Sequence, residues 1–170
     1  MSLTIVEGVD GSGKSTLIKG WRSSKLFYFH TLASTGPPPK REVLQAELAW
    51  LARLPRSITL ICDRHRLISE PIYGPILRGR SMLGLEKTIG ETLIDLGAQI
   101  VYCRPTIEVI VENVRASQAE QLDGVWDHLA ELVEAYDRTM DELSNFVSVF
   151  EYNYHLSSPA RIAAQLGVIK

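Results

Sequence analysis

The chain has 170 residues, a length that suits one domain around one core. Its 45% hydrophobic and 22% charged content is that of an ordinary globular protein, and a net charge of −2 gives no strong electrostatic footprint for nucleic acid. No stretch approaches membrane-spanning length and nothing resembles a signal peptide, so the expectation is a cytoplasmic protein with no membrane partner.

The chain opens on Leu3-Thr4-Ile5-Val6, a β-branched apolar run suited to a buried parallel strand. There follows "EGVDGSGKST", in which Gly8, Gly13, Lys14 and Ser15 fit the phosphate-binding loop G-x-x-x-x-G-K-[ST]. Glycines let such a loop turn its backbone N–H groups inward, and the helix read from "STLIKGW" adds its positive N-terminal end. A nucleoside triphosphate is therefore expected on Gly8, Gly11, Ser12, Gly13, Lys14, Ser15 and Thr16. Lys14 would reach the β/γ-phosphates, and the Ser15 hydroxyl would ligate Mg²⁺.

Strand and helix patterns then alternate, which predicts an α/β fold with a parallel sheet. "KLFYFH" (25–30) reads as a second strand and "STGPPPK" as a loop, since three consecutive prolines cannot be helix interior. "REVLQAELAWLARL" is near helical period. "SITLIC" (57–62) is a third strand, "EKTIGETLIDLG" a helix stopped by Gly97, and "AQIVYC" (98–103) a fourth strand. "PTIEVIVENVR" reads as a helix with Pro105 in its first turn. In "VWDHLAELVEAYDRTMDEL", Val125, Leu129, Leu132, Val133, Tyr136, Met140 and Leu143 share one face, with Trp126 and Tyr136 read as packing residues. "FVSVFEY" (146–152) is a fifth strand, and "PARIAAQLG" closes with a short helix. Cys62 and Cys103 each end a strand and show no metal or redox spacing. Buried reduced thiols are expected.

Charge is unevenly spread. From Lys40 to Lys87 nine basic residues face five acidic ones, a stretch that could meet an anionic acceptor. From Ile107 to Leu143 two basic residues face ten acidic ones, the mark of a solvated helical surface. Within the basic stretch the third strand runs into "CDRHRLISEPIYGPILRGR". An aspartate at the end of a buried strand suits the hydrated Mg²⁺ beside a phosphate loop, which assigns Asp63 as its second metal-site residue. Arg64, directly after it, is placed to clamp a second anion.

"EGVDGSGKST" followed by "CDRHRLIS" resembles thymidylate kinases, within the P-loop nucleoside monophosphate kinase family. The resemblance is specific at those two motifs and extends as element order along the chain. It implies a three-layer α/β/α P-loop fold, one domain over 1–170, with a five-stranded parallel sheet in the order 2-3-1-4-5. With that order, Cys62 and Cys103 would flank the first strand about 9–10 Å apart, too far for a disulfide. The resemblance also implies ATP as donor, Mg²⁺ as cofactor and a small nucleotide as acceptor. Asp10 matches the carboxylate on the acceptor sugar, Arg64 the arginine on the acceptor phosphate, and Tyr73 the aromatic residue that favours deoxyribose. A second acceptor arginine falls among Arg78, Arg80, Arg53 and Arg56, with Arg78 chosen for the acceptor site. The family's arginine-bearing loop after the second strand is replaced here by "TGPPP". Gly11 and Ser12 leave the P-loop without an arginine, so the lid at about 115–124 must supply the catalytic one, Arg115. The reaction expected is ATP-dependent phosphoryl transfer to a deoxynucleoside monophosphate, with dTMP the leading acceptor. The alternative is transfer to a hydroxyl, of a deoxynucleoside or of a modified nucleotide in DNA, with Asp63 or Glu70 as base. The expected state is a monomer or homodimer, and the trimmed length is compatible with a bacteriophage origin.

Overall fold

A computed structural model describes residues 2–21, 27–30, 40–55, 57–83, 87–117 and 124–167. Strand β1 (Ser2–Glu7) is buried from its second residue onward, as its unbroken apolar run requires of a strand covered on both faces. It lies between β3 (Thr59–Asp63) and β4 (Ala98–Cys103), with β2 (Phe27–His30) outside β3 and β5 (Val149–Tyr152) outside β4. The sheet is parallel throughout, in the order β2-β3-β1-β4-β5. The register sets Val6 opposite Asp63 and Glu7 opposite Tyr102. Three strands therefore deliver their following loops to one edge, where ligands bind in open α/β sheets.

Two apolar layers sandwich the sheet. On one face α1 (Lys14–Gly20) and α7 (Pro159–Gln165) pack Leu17, Ile18, Ile162 and Ala163 against Val6, Ile61 and Val101. The Trp21 indole N–H donates to the Pro159 carbonyl at 2.7 Å and ties these two helices together. The other face carries the larger core. It is built by α2 (Arg41–Arg53), α3 (Arg66–Arg78), α4 (Ile89–Asp95), α5 (Ile107–Ser117) and α6 (Leu129–Ser144) around Leu3, Ile5, Leu60, Cys62, Ile100 and Tyr102. Both cysteines are free and buried, and burial pushes their thiols up to about 12.

Several boundaries differ from the sequence expectation. Helix α3 was not anticipated, because Pro71 and Pro75 interrupt its pattern. It forms because Leu67, Ile68, Ile72 and Tyr73 are buried, which outweighs the loss of two backbone donors. Gly74 is needed there, since a Cβ on it would lie 2.8 Å from the Arg80 carbonyl as the chain doubles back. Helix α4 starts late, at a capping box in which Thr88 and Glu91 satisfy each other's backbone N–H groups. Pro105 sits outside α5, whose first helical bond runs from the Ile110 N–H to the Thr106 carbonyl. Helix α6 begins at Leu129 instead of Val125, because a turn at Gly124 (φ 80°) occupies the intervening residues. The "TGPPP" loop lies outside the described residues. No helix among the described residues is long and apolar enough to cross a membrane.

Candidate active site

The loop between β1 and α1 has left-handed or otherwise positive φ at Gly8, Gly11 and Gly13 (140°, 78° and 90°). A Cβ on Gly8 would fall 2.6 Å from the Cys103 carbonyl, so only glycine lets the loop pass over the end of β4. A Cβ on Gly11 would strike Val114 at 2.7 Å, because α5 packs directly on the loop's tip. Asn113 of α5 donates to the Gly11 carbonyl and to the Tyr154 hydroxyl, both at 2.8 Å. The Tyr154 ring in turn lies against Gly13. Two side chains from elements far apart in sequence thus hold the loop from outside.

Lys14 turns its ammonium inward, donating to the carbonyls of Gly8 (2.9 Å) and Val9 (2.7 Å). Burial lowers it to about 8, helped by the nearby Arg64 charge and opposed by Asp10 and Asp63. The Ser15 hydroxyl donates to an Asp63 carboxylate oxygen at 3.2 Å, so the two residues expected around a cation meet. Among the described residues no cluster of three or more His, Cys, Asp or Glu could hold a metal alone. One carboxylate and one hydroxyl suit Mg²⁺, which keeps waters and shares its shell with substrate phosphates. Ser12 is buried within the loop, and Thr16 is exposed in the first turn of α1.

Arg64 is the only non-glycine among the described residues with positive φ, at 62°. Its N–H donates to the Val6 carbonyl at 2.9 Å, and its guanidinium folds back over the phosphate loop. There it donates to the Gly8 carbonyl (3.1 Å), the Asp10 carboxylate (2.8 Å) and the Tyr73 hydroxyl (3.0 Å), and lies 5.2 Å from the Tyr73 ring centre. The Tyr73 hydroxyl reaches the other Asp10 oxygen at 3.5 Å. Burial pushes the Asp10 carboxyl up, but Arg64 and Lys14 together outweigh it and hold the group below its ordinary value. The structure therefore joins Asp10, Arg64 and Tyr73, three residues spread over 64 positions of sequence.

Two expected residues stand elsewhere. Arg78, in the last turn of α3, reaches back to Glu70 at 2.5 Å, and Glu70 also accepts the Met82 N–H. The i, i+8 spacing puts the pair two turns apart on one side of α3, so Arg78 braces the helix end and is not part of the Arg64 cluster. Arg80 and Arg53 are exposed, and Arg56 lies outside the described residues. Arg115 belongs to the last turn of α5, so the helix runs through the start of the expected lid. Its guanidinium sits 5.4 Å from the centre of the half-exposed Trp126 ring. The remainder of the lid, 118–123, is outside the described residues.

Glu7 was not singled out by sequence. It is fully buried, accepting the His65 N–H at 2.7 Å and the Tyr136 hydroxyl at 3.0 Å. Burial pushes its carboxyl up to about 7 against the pull of the His65 N–H, Arg64 and Lys14. His65 caps α3 by accepting the Leu67 N–H on Nδ1, and burial lowers it to about 4. Only the position of Glu7 beside a P-loop hinted at a role. Its partner Tyr136 lies 129 residues away.

No family model matches the chain, and a comparison with curated proteins finds no match. Solved structures do match it over nearly its whole length. The YorR protein of Bacillus subtilis, solved in complex with phosphorylated GDP, is 21% identical with a TM-score of 0.70, covering 98% of this chain and 94% of that one. Deoxyadenosine kinase from M. mycoides with bound dCTP is 20% identical (TM-score 0.59; 99% and 100% covered). Thymidylate kinase from Candida albicans is 14% identical (TM-score 0.59; 98% and 89% covered). At these identities the likeness is one of fold, an α/β fold with a parallel sheet.

Proposed function

We propose that the protein transfers the γ-phosphoryl group of ATP to the phosphate of a deoxynucleoside monophosphate, dTMP being the leading acceptor. The observation that carries this reading is the Asp10–Arg64–Tyr73 cluster on the rim of the P-loop. A guanidinium beside the donor phosphates suits a second phosphate. The adjacent carboxylate and phenol suit a sugar.

Lys14 and the loop N–H groups hold the donor phosphates, and Arg64 holds the acceptor's. Ser15 and Asp63 would hold Mg²⁺, which when bound neutralises charge on the phosphoryl oxygens. A phosphate dianion is already a nucleophile, so no general base is required. Catalysis is then alignment plus neutralisation of spreading charge, with Arg115 supplying a further cation from the end of α5. The engagement of the alternative's bases favours this reading, since Asp63 is bonded to Ser15 and Glu70 to Arg78 and the Met82 N–H.

The fold likeness to a deoxyadenosine kinase keeps a hydroxyl acceptor as the second reading. Purified protein with Mg-ATP, offered deoxynucleoside monophosphates, deoxynucleosides and oligonucleotides, decides by product mass. A diphosphate formed from a monophosphate is the expected product. Phosphorylation of hydroxyl acceptors alone would overturn the proposal.

A further inference from the structure

We infer that Glu7 is a positioning residue for acceptor binding, acting through the backbone of the Arg64–His65 turn. The inference rests on the function proposed above. Arg64 reaches Gly8, Asp10 and Tyr73 together from a left-handed conformation, which a residue with a Cβ rarely adopts unless its surroundings enforce it. Two bonds enforce it here. The Arg64 N–H is held by the Val6 carbonyl, and the next N–H, of His65, is held by the Glu7 carboxylate. The first bond belongs to backbone that any sequence supplies. The second depends on one side chain.

That side chain is itself fixed. The Tyr136 hydroxyl takes its other oxygen, and the Tyr136 ring is wedged between Tyr102, stacked at 6.0 Å, and Tyr73, edge-on at 6.1 Å. Tyr73 carries the hydroxyl that meets Arg64 and Asp10. Glu7 thus braces the acceptor cluster along two routes, through the turn and through the packed tyrosines. A fully buried carboxylate kept only for packing would be a poor choice, because an apolar residue fills such a space without desolvating a charge.

The test is the cycle of Glu7→Ala, Arg64→Ala and the double variant, each read for acceptor KM, kcat and ATP affinity. Glu7→Ala should raise the acceptor KM about tenfold or more, the effect of stranding one buried N–H that orders a binding group. ATP affinity should stay near that of the wild type. Added to Arg64→Ala, it should cost little more, since both routes end on Arg64, one through the turn and one through the Tyr73 hydroxyl. Glu7→Gln should restore most of the affinity, because the amide oxygen still accepts the His65 N–H. Additive losses, or equal losses for donor and acceptor, would reduce Glu7 to a core residue. Should Glu7→Ala not fold, Tyr136→Phe removes one anchor of the carboxylate and must give the same acceptor-selective, non-additive pattern in weaker form, or the inference falls. If the wild type phosphorylates no monophosphate, the proposed function fails. The placing of Arg64 by Glu7 is then judged by the same cycle in urea unfolding, where strong coupling between positions 7 and 64 supports that placing and additivity overturns it.

Discussion

Replacing Arg64 probes the acceptor half of the site more sharply than any other change. Its side chain is 13% exposed, and its guanidinium makes charge-assisted bonds to Asp10 and to the Gly8 carbonyl. A monophosphate arriving there would be met by a cation already stripped of most of its water. Truncating one partner of such a pair costs about 2–5 kcal/mol, or roughly thirty- to several-thousand-fold in kcat/KM. Arg64→Lys should recover only part, since lysine keeps the charge but cannot span Asp10, Gly8 and Tyr73 with one planar fork. Arg64→Gly separates binding from folding. At φ 62° glycine relieves about 1 kcal/mol of strain that alanine keeps, so Arg64→Gly should unfold at higher urea than Arg64→Ala while losing as much activity. The assay is kcat/KM for dTMP at two salt concentrations, with ATP affinity measured separately. An Arg64→Ala enzyme within about fivefold of wild type on dTMP, yet active on oligonucleotides, would refute the reasoning. A polynucleotide spreads its phosphate contacts over many residues, so it would tolerate the loss of one.

Other outcomes follow from the same geometry. Lys14→Met should lose phosphoryl transfer by about three orders of magnitude. It should nevertheless melt no lower than wild type at pH 7: a buried ammonium lowered to about 8 costs the folded state below its unfolded value of 10.5, and methionine removes that cost. Arg115→Ala should lower kcat with little change in acceptor KM, as expected of a group acting on transition-state charge; a change confined to KM would remove Arg115 from catalysis. Among the contributions to the pH dependence of stability, two large ones oppose each other. Glu7, raised from 4.5 to about 7, stabilises fully below pH 4.5 and loses that contribution as pH rises towards 7. His65, lowered from 6.5 to about 4, stabilises above pH 6.5 and loses that as pH falls towards 4. Between pH 4.5 and 6.5 the two largely cancel. His65→Asn, which keeps an acceptor for the α3 cap, should expose a fall in stability with rising pH of up to about 1.4 kcal/mol per unit in urea unfolding; a flat profile would show that Glu7 is not raised.

The legible part of the site was its contiguous part. From Gly8 to Thr16 the residues proposed to hold a phosphate are neighbours in sequence, and their order encodes strand, turn and helix together. Asp63 and Arg64 were legible for the same reason, as polar residues ending a buried strand. Tyr73 could be proposed only by resemblance, because the helix that presents it is masked by Pro71 and Pro75. Glu7, Asn113 and Tyr154 were not legible as parts of one machine. Each acts through a partner contributed by a distant element, Tyr136 for Glu7 and Gly11 and Gly13 for the other two. Local pattern predicts which face a side chain occupies. It does not predict which buried hydroxyl or carbonyl that side chain meets across the sheet.

The two halves of the site are built on different physical terms. The phosphate loop is mostly backbone set by glycine conformations, with Asn113 and Tyr154 bracing it from outside. The proposed acceptor half is a cluster of charged and phenolic side chains, and side chains must be held. The two cations meet at one atom: the Gly8 carbonyl accepts from Lys14 at 2.9 Å and from Arg64 at 3.1 Å. Two like charges converge on that oxygen, with Glu7, Asp10 and Asp63 arranged around them. Each cation is satisfied by protein oxygens. In the proposed reaction phosphates would compete for them, which would cost affinity but keep both cations aimed at one point. For in-line transfer between two anions that exchange is favourable, because a cation held within the reacting geometry stabilises charge without reorganising when charge develops.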